Sequence, residues 1–285
     1  MSIAKVNRRT LVKLVGLTAA ASAFGGEKGR AQAPASTLDD VKKRGVLRAG
    51  VRQDVPGFGS VDEKGKTVGF DVDIATEIAK RLDVKFEPVP VTAATRIPLL
   101  QQGRIDLIAA TLTHYRERDK VIDFSIGYFW TGQKLMVKKG SNINSIADMA
   151  GKRAGTTAGA LSLQNLMKAQ PKAVGQTFEG YPEAFLAMQR GLVDAVVADI
   201  IILAGLRANV SNANDYEIIG DSLGGGDYAI GVRENDSKWR DMVNFTLQDM
   251  WRDGTWDQIF DRWIGPNSAL KLTKDEIGFK MELWD

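Results

Sequence analysis

The chain has 285 residues, room for one large domain or two of about 100 to 150 residues each. Hydrophobic residues at 44% and charged residues at 26% are ordinary globular values, which argues against long disorder and against a bundle of membrane helices. With no cysteine and one histidine, disulfides, thiolate nucleophiles and Cys-ligated metals are excluded, along with most zinc and hydrolytic chemistry.

At the N-terminus, the paired Arg8 and Arg9 precede a mildly apolar stretch reaching Phe24, and Ala31-Gln32-Ala33 offers a small-x-small cleavage site. The pattern resembles a twin-arginine export signal. The stretch is too short, and too rich in Ala, Gly and Thr, for a stable transmembrane helix of about 20 apolar residues. Residues 1–33 are therefore expected to be a cleaved leader, and the mature protein to begin at Pro34 in the periplasm. The leader holds six basic side chains and one acidic one, so its loss turns a formal charge of +3 into −2. No run of Lys or Arg then remains to mark a nucleic-acid or anionic-lipid surface.

After a short helix over residues 37–44, Val46 to Val51 reads as a strand leading into a Gly/Pro-rich loop over residues 54–60. Gly69-Phe70-Asp71-Val72-Asp73 opens a helix with Ile74, Ile78 and Leu82 at a 3.6-residue period. Asp71 and Asp73 fit either a metal-binding DxD or acids serving a helix N-terminus. The periodic run that begins there favours the second. A strand over residues 84–89 and a helix over residues 92–102, with Pro98 in its first turns, follow.

The next segment is used twice. LQQGRIDLIAAT (residues 100–111) and MQRGLVDAVVAD (residues 188–199) align Gly103 on Gly191, Asp106 on Asp194 and Thr111 on Asp199. Each reads as a helix tail, a glycine C-cap and a short apolar run suited to a buried parallel strand. Ligands of open α/β sheets bind outside the carboxyl ends of the strands, so Thr111 and Asp199 are expected to meet a small molecule from two sides.

Between and beyond these phrases come a Gly-containing loop over residues 156–160, helices over residues 161–170, 182–190 and 200–208, and a strand over residues 228–232. A glycine loop at a helix N-terminus suits an anion. The C-terminal helix sets Trp256, Ile259, Phe260 and Trp263 at i, i+3, i+4 and i+7. That stripe admits stacking on a sugar or base, but the helical spacing favours core packing.

Several long motifs in order, GFDVDIATEIAKRL, RIPLLQQGRIDLI, ATLTHYRERDKVIDFS, the Gly159 loop, the Gly191 to Asp199 phrase and DGTWDQIFDRWIG, resemble the family-3 extracellular solute-binding proteins of polar amino-acid ABC importers. The resemblance implies a two-lobed type II periplasmic binding protein: two α/β lobes joined by two crossover strands, near residues 128–132 and 227–231, with ligand between them. Lobe 1 is expected to hold residues 34–129 and 231–285, and lobe 2 residues 130–230. It implies a monomer without cofactor or metal, whose partners are an amino acid and an inner-membrane permease with its ATPase.

An α-amino acid needs a cation on one side and an anion on the other. By this resemblance Arg118, in the Glu117-Arg118 step, grips the α-carboxylate bidentately. Thr111 and Thr113 assist it, Asp199 receives the ammonium, and Thr157 is a further carboxylate donor. The spacing from Thr113 to Arg118 and the stretch VTAATRIPLLQQG resemble the glutamate/aspartate branch, in which Arg52 and Arg96 would hold the side-chain carboxylate. Two arginines facing one cavity repel unless an anion lies between them, which favours an acidic ligand. Where that branch has Ser, Thr and His, this chain has Ala93, Ala160 and Tyr181, which implies a roomier site open to neutral polar amino acids too. General amino-acid binders share the Arg96 position.

Two other readings stay beside this one. A dehydratase branch of the fold carries a glutamate just past the loop glycine, but Gly159-Ala160-Leu161-Ser162 has no acid; His114, the one imidazole, lacks a nucleophile or orienting acid and reads as a rim residue. A ligand-loaded protein presented to a chemoreceptor is compatible with transport.

Overall fold

The structure is a computed structural model that describes residues 36–284. The leader and its cleavage site lie outside the described residues. In chain order the elements are α1 (Thr37–Arg44), β1 (Val46–Val51), β2 (Asp54–Val55), β3 (Gly59–Val61), β4 (Thr67–Val68), α2 (Phe70–Arg81), β5 (Lys85–Pro90), α3 (Arg96–Gln101), β6 (Leu107–Ala109), β7 (Asp123–Lys138), β8 (Arg153–Thr157), α4 (Ser162–Ala169), β9 (Val174–Phe178), α5 (Tyr181–Gln189), β10 (Ala195–Asp199), α6 (Ile200–Ala208), β11 (Tyr216–Ile219), β12 (Gly225–Val232), α7 (Ser237–Arg252), α8 (Thr255–Trp263) and α9 (Lys274–Ile277). No helix among them is long and apolar enough to cross a membrane.

The strands build a two-lobed α/β fold. In the first lobe they run β5-β1-β6-β12-β7, with β1 parallel to both β5 and β6. In the second they run β7-β10-β8-β9, with β10 and β8 parallel, and β11 on the other side of β7. β7 serves both lobes: residues 123–132 pair with β12 and residues 133–137 with β10. The chain therefore crosses between lobes along two antiparallel neighbours, β7 and β12.

The doubled phrase folds as one unit twice. Gly103 and Gly191 both take left-handed φ, 68° and 74°, which a residue without Cβ adopts at no steric cost. Asp106 accepts the Arg48 amide at 2.8 Å while Arg48 Nη2 reaches the Gly103 carbonyl. Asp194 accepts the Arg153 amide at 2.7 Å while Arg153 Nη2 reaches the Gly191 carbonyl. In both units a neighbouring strand's arginine ties the glycine turn to the aspartate that opens the next strand. That partner arginine is the part the sequence repeat does not reveal.

Two expectations are corrected. α3 starts at Arg96 rather than at residue 92, because Thr92 and Thr95 exchange amide-to-hydroxyl bonds in a turn of their own. Asp71 and Asp73 lie in the first turn of α2 but cap nothing there. Asp73 accepts from Arg262 and from the Trp263 indole, whereas fully buried Asp71 accepts from the Thr111 amide and the Tyr128 hydroxyl, each at 2.7 Å. Among the described residues no acidic or His cluster suits a metal.

The aromatic stripe of α8 is core: Trp256 and Phe260 are 1% exposed, and the Trp256 indole donates to the Tyr128 carbonyl. Phe58, Phe70, Phe129, Tyr228 and Trp256 continue the packing around the crossover. Aromatic pairs of this kind, edge-on or offset-stacked, add about 0.5 to 1.5 kcal/mol each beyond their buried area.

Candidate ligand-binding cleft

The carboxyl ends of β6 and β10 meet at a small, narrow cavity between the lobes. The first lobe lines it with Arg52, Arg96, Thr111, Thr113, Tyr115 and Arg118, and the second with Ala160, Leu161, Ser162, Tyr181 and Asp199, while Gln133 of β7 completes the wall. Seven of the eight site residues expected from sequence are in this lining. Thr157 is the exception: it is fully buried and its hydroxyl donates to the Glu179 carbonyl at 2.8 Å. A buried hydroxyl takes the nearest free acceptor, here at the end of the adjoining strand β9.

Arg118 is 8% exposed, and its Nη1 donates to the Thr113 carbonyl at 2.7 Å. Among the described residues no carboxylate lies within ion-pairing distance of it; Asp119 engages His114 instead. Burial pulls the Arg118 guanidinium below its usual pKa, and the field of Asp199 opposes that fall. Its charge also lies over the Tyr115 ring at 5.4 Å.

Asp199 faces it from the other lobe. It occupies the N-cap position of α6, yet its side chain makes no cap. One oxygen accepts from Tyr228 at 2.6 Å and the other from Gln133 Nε2 at 3.1 Å. Burial pushes the Asp199 carboxyl above the usual carboxylate range, with those two hydrogen bonds and the arginines opposing. Gln133 is held in turn by Asn165 and Tyr115. α4 begins at the cavity wall with Leu161 at its N-cap and no side-chain cap, so the first-turn amides have no capping partner there.

Arg96 and Arg52 are both buried, at 3% and 1% exposure, but differ in pairing. Arg96 Nη1 donates to the Ala110 and Thr111 carbonyls, and its Nε has no hydrogen-bond partner. Burial, with Arg118 and Arg52 close by, lowers its pKa to about 9. Thr111 sits at φ 47°, held there by the Asp71 and Arg96 contacts. Arg52 is instead closed in a bidentate pair with Asp54, at 2.6 and 2.5 Å, and lies 5.4 Å from the Tyr181 ring centre. Burial alone would lower the Arg52 pKa, but Asp54 carries it above the usual value. The expectation of two uncompensated arginines is thereby reduced to one.

Sequence reading missed Tyr115, Gln133, Leu161 and Ser162 as lining residues. Gln133 was within reach of strand pairing, since it stands opposite Asp199 in the β10–β7 register.

Two α/β lobes meeting over a cavity that carries opposite charges at the strand ends define a solute-binding protein. The chain belongs to the bacterial extracellular solute-binding proteins, family 3, matched over residues 47–266. It is 38% identical to the ABC transporter glutamine-binding protein GlnH of Bacillus subtilis (strain 168), across 82% of this chain and 86% of that one. It is 30% identical to the glutamate/aspartate import solute-binding protein of Salmonella typhimurium, across 82% and 81%. Among solved structures, an ancestral arginine-binding protein bound to glutamine superposes with a TM-score of 0.73 at 42% identity, across 78% of this chain and 99% of that one.

Proposed function

We propose that this chain is the periplasmic binding component of an ABC importer for a polar amino acid, with glutamine the favoured ligand. One observation carries the reading: Arg118 and Asp199, a cation and an anion from opposite lobes, line one cavity without forming an ion pair with each other. A zwitterionic α-amino acid supplies the carboxylate and the ammonium that satisfy both. The names of the relatives, as binding proteins for glutamine and for glutamate and aspartate, support the same class.

The side-chain preference follows from charge. Arg52 is paired with Asp54 and Arg118 is opposed by Asp199, while Arg96 has no carboxylate partner and meets Asp71 only through its field, so three guanidiniums and three carboxylates stand in formal charge balance. A neutral carboxamide keeps that balance, whereas an arginine ligand would set a further guanidinium beside Arg96. Glutamate is the second reading, favoured by the unpartnered Arg96 Nε.

Calorimetry against glutamine, glutamate, aspartate, arginine and leucine tests the proposal. Glutamine should bind tightest and glutamate next, with arginine and leucine giving no heat. Preference for arginine or leucine would overturn it.

A further inference from the structure

The ion pair that occupies Arg52 does more than neutralise it. Arg52 follows β1 and Asp54 opens β2, so both belong to the first lobe. The same Asp54 carboxylate crosses the cleft: Oδ2 accepts the amide of Tyr181, the first residue of α5, at 3.4 Å. That helix has no cap of its own, because its N-cap is Gly180, which carries no side chain. A Cβ at Gly180 would lie 2.5 Å from Glu183 Oε2 and 3.0 Å from Asp54 Oδ2, so the glycine leaves both carboxylates their place. Carboxylates at this end of a helix meet both free amides and the positive end of the dipole.

The two partners also stand in different surroundings. The Arg52 side chain is sealed at 1% exposure, while that of Asp54 is 25% exposed. Asp54 borders a wider outer groove of about 700 Å³, which runs between residues 90–102 of the first lobe and Glu179, Gly180 and Glu183 of the second. Arg52 alone reaches the inner cavity. A ligand carboxylate seeking Arg52 would have to compete with Asp54 for it, and in winning would loosen Asp54 from α5.

We propose that Asp54 is a specificity-determining residue of this cleft, which commits the charge of Arg52 to an interlobe contact and so leaves the pocket suited to a neutral rather than an acidic side chain. The inference rests on the amino-acid-binding reading given above. It implies that the acidic preference encoded by Arg52 is present in the chain but held in check by one carboxylate.

The test is Asp54→Asn, which keeps the side-chain shape and removes the charge. By calorimetry, the ratio of glutamate to glutamine affinity should rise at least tenfold over wild type, and Arg52→Gln in the same protein should return it to the wild-type ratio. An unchanged ratio in Asp54→Asn, or a risen ratio that persists without Arg52, overturns the assignment. A second arm needs no ligand. In nitrogen-edited NMR of the ligand-free protein, the Arg52 Nε–H should exchange slowly with water, and at least tenfold faster in Asp54→Asn. Equal exchange in the two proteins would show that Asp54 does not hold Arg52, and would overturn the pairing on which the inference stands. If the wild-type protein binds no amino acid, the functional reading and the specificity claim fall together, and the exchange arm alone decides whether the pair exists.

Discussion

Arg118 donates one bond to the Thr113 carbonyl, which leaves the rest of its planar fork facing the cavity. A charge-assisted hydrogen bond contributes about 1.5 to 3 kcal/mol, so losing a bidentate grip should cost at least about a hundredfold in affinity. Arg118→Ala should therefore abolish amino-acid binding in calorimetry with its far-UV circular dichroism unchanged; normal binding would remove the carboxylate assignment. Asp71 acts at one remove. Its burial outweighs the Tyr128 and Thr111 bonds and the arginine fields, raising its pKa from 3.8 to about 6. An acid with a raised folded pKa holds more protons folded than unfolded between those values, so it takes stability away as pH rises through that window. Thermal melts of wild type and Asp71→Asn should show wild type losing ground to the variant from pH 4 to pH 6.5, and parallel profiles would contradict the raised pKa. Arg118 and Asp199 were legible in sequence because each stands in a long motif whose chemistry matches its place. Asp71 was not, since a carboxylate in a first helical turn looks the same whether it serves its own amides or reaches across to Thr111.

Two glycines of the second lobe meet backbone of the first across the cleft. A Cβ on Gly159 would lie 2.7 Å from the Ala93 carbonyl, and one on Gly205 of α6 would lie 2.6 Å from the Pro56 carbonyl. Gly159 also has φ 82°, so its replacement mixes local strain with the interlobe clash. Gly205 lies inside a helix without that strain, which makes it the cleaner probe. Alanine in a helix interior is favoured over glycine by about 1 kcal/mol, whereas contact at that distance requires the facing backbone to move. Gly205→Ala should therefore leave the melting temperature of ligand-free protein equal or higher while weakening glutamine binding at least tenfold. Undiminished affinity would show that α6 and the Pro56 loop do not approach this closely in the ligand-bound form. At this scale the helices and strands follow from periodicity and glycine caps, and the doubled phrase located the strand ends that carry Thr111 and Asp199. Close approach between lobes leaves no periodic trace: Gly205 reads as an ordinary helical glycine until Pro56 is placed against it.

For the whole molecule, the lobes are joined by β7 and β12 alone among the described strands, and the apolar cluster around Phe58, Phe129 and Tyr228 continues through that crossover into the second lobe. Away from the crossover the cleft is closed by glycine backbone and polar side chains, among them Asp54 against Tyr181 and the cavity charges themselves. Packing thus favours an intact hinge region, while little apolar area holds the far edges of the lobes together. With Arg118 and Asp199 unpaired by each other, closing the cleft without ligand buries two charges that have lost water, at several kcal/mol each. Ligand reverses that balance by satisfying both, and a ligand at 100 times its dissociation constant stabilises the form that binds it by about 2.7 kcal/mol. The expected outcome is a rotation about the β7 and β12 crossovers with every strand and helix preserved. Small-angle scattering should record a smaller radius of gyration when glutamine is added, with the far-UV circular dichroism superimposable on that of the ligand-free protein. An unchanged radius at saturating ligand would mean that the lobes are already closed without it, and that the hydrogen bonds of Asp199 to Tyr228 and Gln133 suffice to hold the cleft charges on their own.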